Sequence, residues 1–245
     1  MSANTIFASA SILIGFVMIF LTAFTWMQQD RSKWPWTFRA MLTSATIWLV
    51  AYSFNFLSVG LTDKILLTKV AYVGIITVPV FWFLFSMHFV NQSHRSTRYL
   101  ISTLFIIPAV SILLMGSNEL HGWFWRDTGV QTDQGITYLA TEYGIWFWVH
   151  TAYSYIMLLI GAIFILTGVI RFSGRARWQA LILATAVVFP WGANILFLAG
   201  LNPLPAIDWT PFGLALSCVG FIAAIFGFDA APWKTPDGEV EAVGG

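Results

Sequence analysis

Tyr143 to Ile170 reads YGIWFWVHTAYSYIMLLIGAIFILTGVI, without one Asp, Glu, Lys or Arg. A helix needs about 20 mostly apolar residues to cross the hydrocarbon core of a bilayer, and this stretch exceeds that. Six more charge-free runs surround it: Met1 to Gln29, Ala40 to Thr62, Val70 to His94, Tyr99 to Asn118, Trp178 to Ile207 and Trp209 to Phe228. Lipid offers no water to satisfy backbone groups, so spanning segments are helices or closed barrels. Barrel strands are short and alternate; runs this long and continuous specify helices. The expected fold is an all-α membrane protein, a seven-transmembrane helix bundle.

Composition agrees with that reading. Charged residues make up 9% of the chain and hydrophobic ones 58%, against roughly 25% and 45–50% in soluble domains. A net charge of +1 leaves no basic surface for nucleic acid. Cys218 is the one cysteine; lying inside the last span, it has no intrachain disulfide partner and acts as a small hydrophobe. The first run is too long for the apolar core of a signal peptide and no basic residue precedes it. One seven-helix domain is expected over residues 1–230, with a short tail over 231–245.

The loops alternate in charge. Arg31, Lys33, Arg39, Arg95, Arg98, Arg171, Arg175, Arg177 and Lys234 fall on one side, nine of the twelve basic residues. Lys64, Lys69 and Arg126 fall on the other, with most of the acid. The positive-inside bias makes the first side cytoplasmic. The expected topology is an N-terminus outside, a C-terminus in the cytoplasm and a multi-pass protein of the inner (plasma) membrane. Trp26, Trp34, Trp36 and Trp178 sit near the inner boundary, and Trp123, Trp125, Trp146 and Trp209 near the outer one. Taken singly, most of these read as interfacial anchors.

Spans are expected near Ile6–Met27, Thr37–Gly60, Leu66–Val90, Tyr99–Met115, Trp146–Ile170, Trp178–Ala199 and Thr210–Phe228. Pro79, Pro108 and Pro190 lie inside three of them and should kink them. Pro211 suits a first helical position, capped by Asp208 or Thr210. Ser117 to Glu142 is the one long connection, on the outer side between the fourth and fifth spans. Gly135-Ile-Thr-Tyr138 within it reads as part of a hairpin. Long ordered loops are more often functional than decorative, so this one is expected to be structured and to lie over the outer mouth as a lid.

Polar groups at membrane depth are few: Asn55, His88, His150, Tyr153, Tyr155, Asn194 and scattered Ser and Thr. Such groups are costly in lipid unless they face the bundle or a cavity. Most fall in the outer half, near Asp208 and Thr210, which points to an outward-facing aromatic pocket. Asn55 and Asn194 read equally as interhelical hydrogen-bond glue. Trp146, His150 and Tyr153 share one helix face at i, i+4 and i+7; that face is either a ligand wall or a helix start anchored at the interface. His121, His150 and Glu119 or Asp208 lack metal-binding spacing, so no metal and no cofactor is expected. The seven charge-free runs contain no lysine, so none is expected in the bundle interior and a covalent retinal protein is excluded.

Several of these segments carry a resemblance. They are Lys69-Val-Ala-Tyr72-Val-Gly74, Pro79 with Trp82, Asn118-Glu-Leu-His121-Gly-Trp-Phe-Trp125, Gly144-Ile-Trp-Phe-Trp-Val-His150-Thr-Ala-Tyr-Ser-Tyr155, Asn194, Pro203-Leu-Pro205, Asp208 and Thr210-Pro211. In order and spacing the chain resembles the N-terminal seven-transmembrane sensor region of histidine kinases. The resemblance implies a receptor module that is not itself an enzyme. It implies too that the seventh helix feeds a cytoplasmic kinase output domain, in cis or in trans. The tail after Phe228 has no phosphoacceptor histidine and no nucleotide-binding glycine box, so the chain is expected not to phosphorylate anything.

Together these readings give a signal-sensing module of a two-component system with the lipid bilayer and an unknown small-molecule ligand as partners. The ligand is expected to be apolar or aromatic; a homodimer is left open. The residues expected to line the pocket are Tyr72, Trp82, His121, Trp125, Trp146, His150, Tyr153, Asn194, Asp208 and Thr210. A small transporter or channel is the alternative, and an intramembrane zinc hydrolase a more distant one.

Overall fold

The computed structural model describes residues 3–28, 35–90, 97–202, 204 and 206–228. Arg31, Lys33, Trp34, Arg95, Pro203, Pro205, Lys234 and the tail from Asp229 lie outside the described residues. The helices are α1 (Ala3–Met27), α2 (Trp36–Asn55), α3 (Leu61–Phe89), α4 (Thr97–Leu104), α5 (Ile106–Gly116), α6 (Ile145–Arg171), α7 (Gly174–Ala186), α8 (Val188–Leu198) and α9 (Thr210–Phe228). Strands β1 (Trp125–Asp133) and β2 (Ile136–Tyr143) form an antiparallel hairpin between α5 and α6.

Among the described residues these helices make seven rods, because α4 with α5 and α7 with α8 each form one interrupted rod. Both breaks lie three residues before a proline: at Phe105 before Pro108, and at Val187 before Pro190. A proline ring clashes with the carbonyl of the preceding turn and removes one hydrogen bond, so the interruption falls where the chemistry puts it. The third interior proline, Pro79, does not interrupt α3. Five of the rods are long and apolar enough to cross a membrane; α9 is a shorter apolar helix.

The third rod is the hub. In its most apolar window 67% of residues are buried, against 22% in α1. It packs on α2 along one side and on α6 along the other. Two glycines permit this. A Cβ on Gly74 would lie 2.3 Å from the Ser44 carbonyl oxygen of α2, and one on Gly161 would lie 2.4 Å from Trp82 Nε1. Outward faces are apolar: Leu13, Phe16 and Phe20 of α1 are about two-thirds exposed. Water would penalise such a surface, whereas lipid tails cover it at no cost.

The hairpin turns on Gln134 (φ 48°) and Gly135 (φ 78°), with Asp133 facing Ile136. Two left-handed central residues make the tight turn whose twist matches a strand pair. The hairpin is tied to the bundle. The Thr137 N–H donates to Asn4 Oδ1 of α1, 3.0 Å away.

Several residues stand elsewhere than the sequence reading put them. α2 ends at Asn55 and α3 starts at Leu61, with Gly60 in extended backbone before it. Lys64, counted with the outer loops, is therefore on α3 together with Lys69, which already fell inside the expected third span, and a lysine does lie in a spanning helix. Lys64 is fully buried, and its Nζ donates to Asn55 O (2.7 Å), Asn55 Oδ1 (3.3 Å) and Thr137 O (3.0 Å). Those carbonyls replace water around the ammonium, the condition for burying a charge. Arg39 likewise lies within α2, buried, with its guanidinium 5.6 Å from the Trp26 ring centroid. Trp26, Trp36, Trp123 and Trp178 are about half exposed or more, as anchors are; Trp125 is buried and is not an anchor.

Candidate functional site

The Asn118–Trp125 loop is organised by its own side chains. Asn118 Oδ1 accepts the N–H groups of Phe124 (3.0 Å) and Trp125 (2.9 Å), and its Nδ2 donates to Trp125 O. His121 Nδ1 accepts the Trp123 N–H at 2.9 Å, and its Nε2 lies 3.2 Å from Ser117 Oγ. Gly122 has φ 63°, and a Cβ on Gly144 would collide with the Trp123 carbonyl oxygen at 2.2 Å. This segment is a scaffold. It drives Phe124 and Trp125 into the bundle, where both pack edge-on against Tyr72.

Two adjoining cavities lie beneath the hairpin. One, of about 140 Å³, runs between α2, α3, α6, α8 and α9; the other, of about 320 Å³, lies between α2, α3 and β2. Small-molecule sites commonly span roughly 300–1,000 Å³. Trp48, Tyr72, Ile75, Tyr143, Phe197 and Asp208 line both cavities and so mark their junction.

Asp208 is set there by the start of α9. Its Oδ1 accepts the Thr210 N–H at 2.9 Å, which caps the helix. Its own N–H donates to the Tyr52 phenol oxygen at 2.7 Å. Burial pushes the carboxyl above the ordinary range, partly offset by its bonds to Thr210. From the cap the polar track continues: Asn194 Nδ2 donates to Thr210 Oγ1 (3.4 Å), and Tyr155 donates to Asn194 Oδ1 (2.6 Å). Asn194 thus bonds between helices and faces a cavity at once. Asn55 bonds Thr68 and the Lys64 carbonyl, joining α2 to α3 at the wall of the larger cavity.

Of the ten residues singled out in the sequence, Tyr72, Trp82, His150, Asn194, Asp208 and Thr210 line the smaller cavity, and Trp125 lines the larger. Trp82 is wall only, since its indole N–H is spent on Leu158 O at 3.1 Å. His121, Trp146 and Tyr153 line neither. His121 staples the loop. Trp146 donates to Ser111 Oγ at 2.9 Å, and Tyr153 to Leu104 O at 2.6 Å, so that helix face packs on α4 and α5. His150 lies between the two settings. Its Nδ1 meets Ser111 Oγ at 3.4 Å and its Nε2 meets Ser154 Oγ at 3.1 Å.

Sequence reasoning passed over Trp48, Tyr52, Tyr143 and Phe197. Trp48 and Tyr52 are one turn apart on α2, an i, i+4 aromatic pair that pattern alone makes look like ordinary core. Tyr143 stacks flat on Phe147, centroids 3.7 Å apart, at the joint between hairpin and α6. Burial raises its phenol pKa. Among the described residues no three His, Cys, Asp or Glu side chains come together as a metal-binding set.

Comparison with known proteins gives one family. The model described as the N-terminal 7TM region of histidine kinase matches residues 10–231. No curated protein matches the chain. The matching region is the sensor part of these kinases, not their catalytic domain. A multi-pass bundle of apolar helices, matched over nearly all of its length, belongs to the family of N-terminal seven-transmembrane sensor regions of histidine kinases.

Proposed function

We propose that residues 1–230 form a sensor module of the inner membrane. It binds a small aromatic ligand in the joined cavities and passes occupancy to a kinase output through the far end of α9. The single observation that carries this is the junction at Asp208. There the cavity wall, the first turn of α9 and the hairpin strand β2 meet. A ligand lodged at that point touches the element that leads toward the output. It shifts an equilibrium between two bundle packings by its differential affinity for them. The breaks at Phe105 and Val187 are the candidate flex points.

The positive-inside bias places the hairpin end outside. The ligand then enters from the exterior or the outer leaflet, past the hairpin. A cysteine at Gln134, on the hairpin tip, tests this directly. Membrane-impermeant maleimide should label it on intact spheroplasts; labelling only after lysis would overturn the orientation.

The cavity reading is tested with neutral aromatic compounds screened by thermal stabilisation of the chain in lipid nanodiscs. Stabilisation by any of them should vanish in Ile75→Trp, which fills the junction. It should vanish also in the triple variant Trp125→Ala, His150→Ala, Asp208→Ala. Stabilisation that survives both would put the site elsewhere.

A further inference from the structure

We propose that the junction is a cation site, and that the ligand carries an ammonium group held between the Asp208 carboxylate and the rings of Trp48, Tyr72, Tyr143 and Phe197. The inference rests on the sensor reading above and names the chemical class its ligand must have.

Charge on the cavity walls is one-sided. Among the described residues lining either cavity, Asp208 is the one carboxylate, and no lysine or arginine is present. His150 has a serine hydroxyl at each ring nitrogen. Lys64, the nearby buried cation, spends its ammonium on Asn55 and Thr137 and forms part of neither wall. Thr210 is the only hydrogen-bond partner of the Asp208 carboxylate among the described residues.

The start of α9 compensates part of that charge, but a helix terminus supplies only roughly half an elementary charge. The remainder is left on the wall that both cavities share. Four aromatic rings share that junction, and the faces of such rings carry negative potential. Carboxylate and aromatic faces attract the same kind of guest. Aromatic faces are how proteins hold alkylammonium groups, and here a carboxylate lines the same junction. A neutral aromatic ligand would use the rings and leave the carboxylate uncompensated. An anionic ligand would be repelled by both.

The test compares phenyltrimethylammonium with tert-butylbenzene, its neutral isostere, on the chain in nanodiscs by calorimetry and tryptophan fluorescence. The cation should bind at least about tenfold more tightly. Asp208→Asn keeps an acceptor for the Thr210 N–H and removes the charge; the preference should fall to near parity. Equal affinities in the wild type, both lost in Ile75→Trp, would overturn the cation class while leaving the cavity reading intact. A cation preference that persists in Asp208→Asn and in Ile75→Trp would overturn it too, because binding would then lie outside the junction. Absence of cation binding overturns it as well, and the neutral-compound screen judges the cavity reading separately. The wild-type comparison needs no variant to fold.

Discussion

The backbone N–H of Asp208 donates a 2.7 Å hydrogen bond to the phenol oxygen of Tyr52, 156 positions away in sequence. Through it α2 holds the connection that positions the first turn of α9. Tyr52→Phe keeps the ring and its edge-on contacts with Phe56 and Phe212 but leaves that N–H without its partner. An unmet buried donor costs about 1–3 kcal/mol. The expected outcome is a loss of stability of that size in denaturant unfolding from micelles, with the ring packing unchanged.

Lys64 joins α2, α3 and the hairpin through three hydrogen bonds, at 2.7, 3.0 and 3.3 Å. Lys64→Met fits the space and removes all three. Hydrogen bonds to charged groups contribute about 1.5–3 kcal/mol each, offset by no longer burying a charge. The clearer signature is local. Amide exchange over residues 136–141 should accelerate, since Thr137 O and its strand lose their anchor, while α6 should stay protected.

Gly161 is where α6 meets Trp82. A Cβ there would lie 2.4 Å from Trp82 Nε1, whose N–H bonds Leu158 O. Gly161→Ala should destabilise the protein by about 1–3 kcal/mol, as overpacking does. It should also disturb the stack of Trp82 on Phe221, visible as a shift in tryptophan emission.

Asp208 also sets a pH dependence. Burial raises its folded pKa, so its contribution favours the fold below the unfolded carboxyl value, about 3.9. That contribution is lost as pH rises through the raised folded value. Stability of the ligand-free protein should therefore decline over that window, and the decline should be smaller in Asp208→Asn. Cation binding should move the other way and strengthen with pH, because it uses the ionised form. The groups coupled to Asp208 are Tyr52, Tyr72, Tyr143 and Tyr155, from α2, α3, β2 and α6. Tyrosines ordinarily titrate near pH 10, whereas His150, which lines the same cavity, ordinarily titrates near 6.5; the difference between wild type and Asp208→Asn is therefore what isolates the Asp208 contribution to both trends. A binding curve independent of pH would contradict the assignment.

Much of the fold was written in the spacing of charges, because a membrane span is a one-dimensional constraint: length and the lack of charge suffice. The hairpin was legible from Gly135 and its neighbours for a similarly local reason. Lys64 was not. Its burial depends on carbonyls of Asn55 and Thr137, far apart in sequence, and nothing nearby announces them. The site divides along the same line. Asp208 and Thr210 were legible as a helix cap, a local device. His121 and Trp146 carry distinctive motifs yet serve loop and helix packing, because a motif can mark a demanding scaffold as readily as a binding surface. Trp48 and Tyr143 face the junction through tertiary geometry alone.

Whether cavity occupancy moves α9 can be measured by electron spin resonance distances in nanodiscs. Spin labels are placed at Ala223→Cys on α9 and Arg171→Cys at the end of α6, both exposed positions, in a Cys218→Ala background. Phenyltrimethylammonium should shift the distance distribution by about 1–2 Å or more, and the shift should disappear in Ile75→Trp. Saturating binding of the cation with an unchanged distribution would contradict the link between the junction and the output end of the bundle.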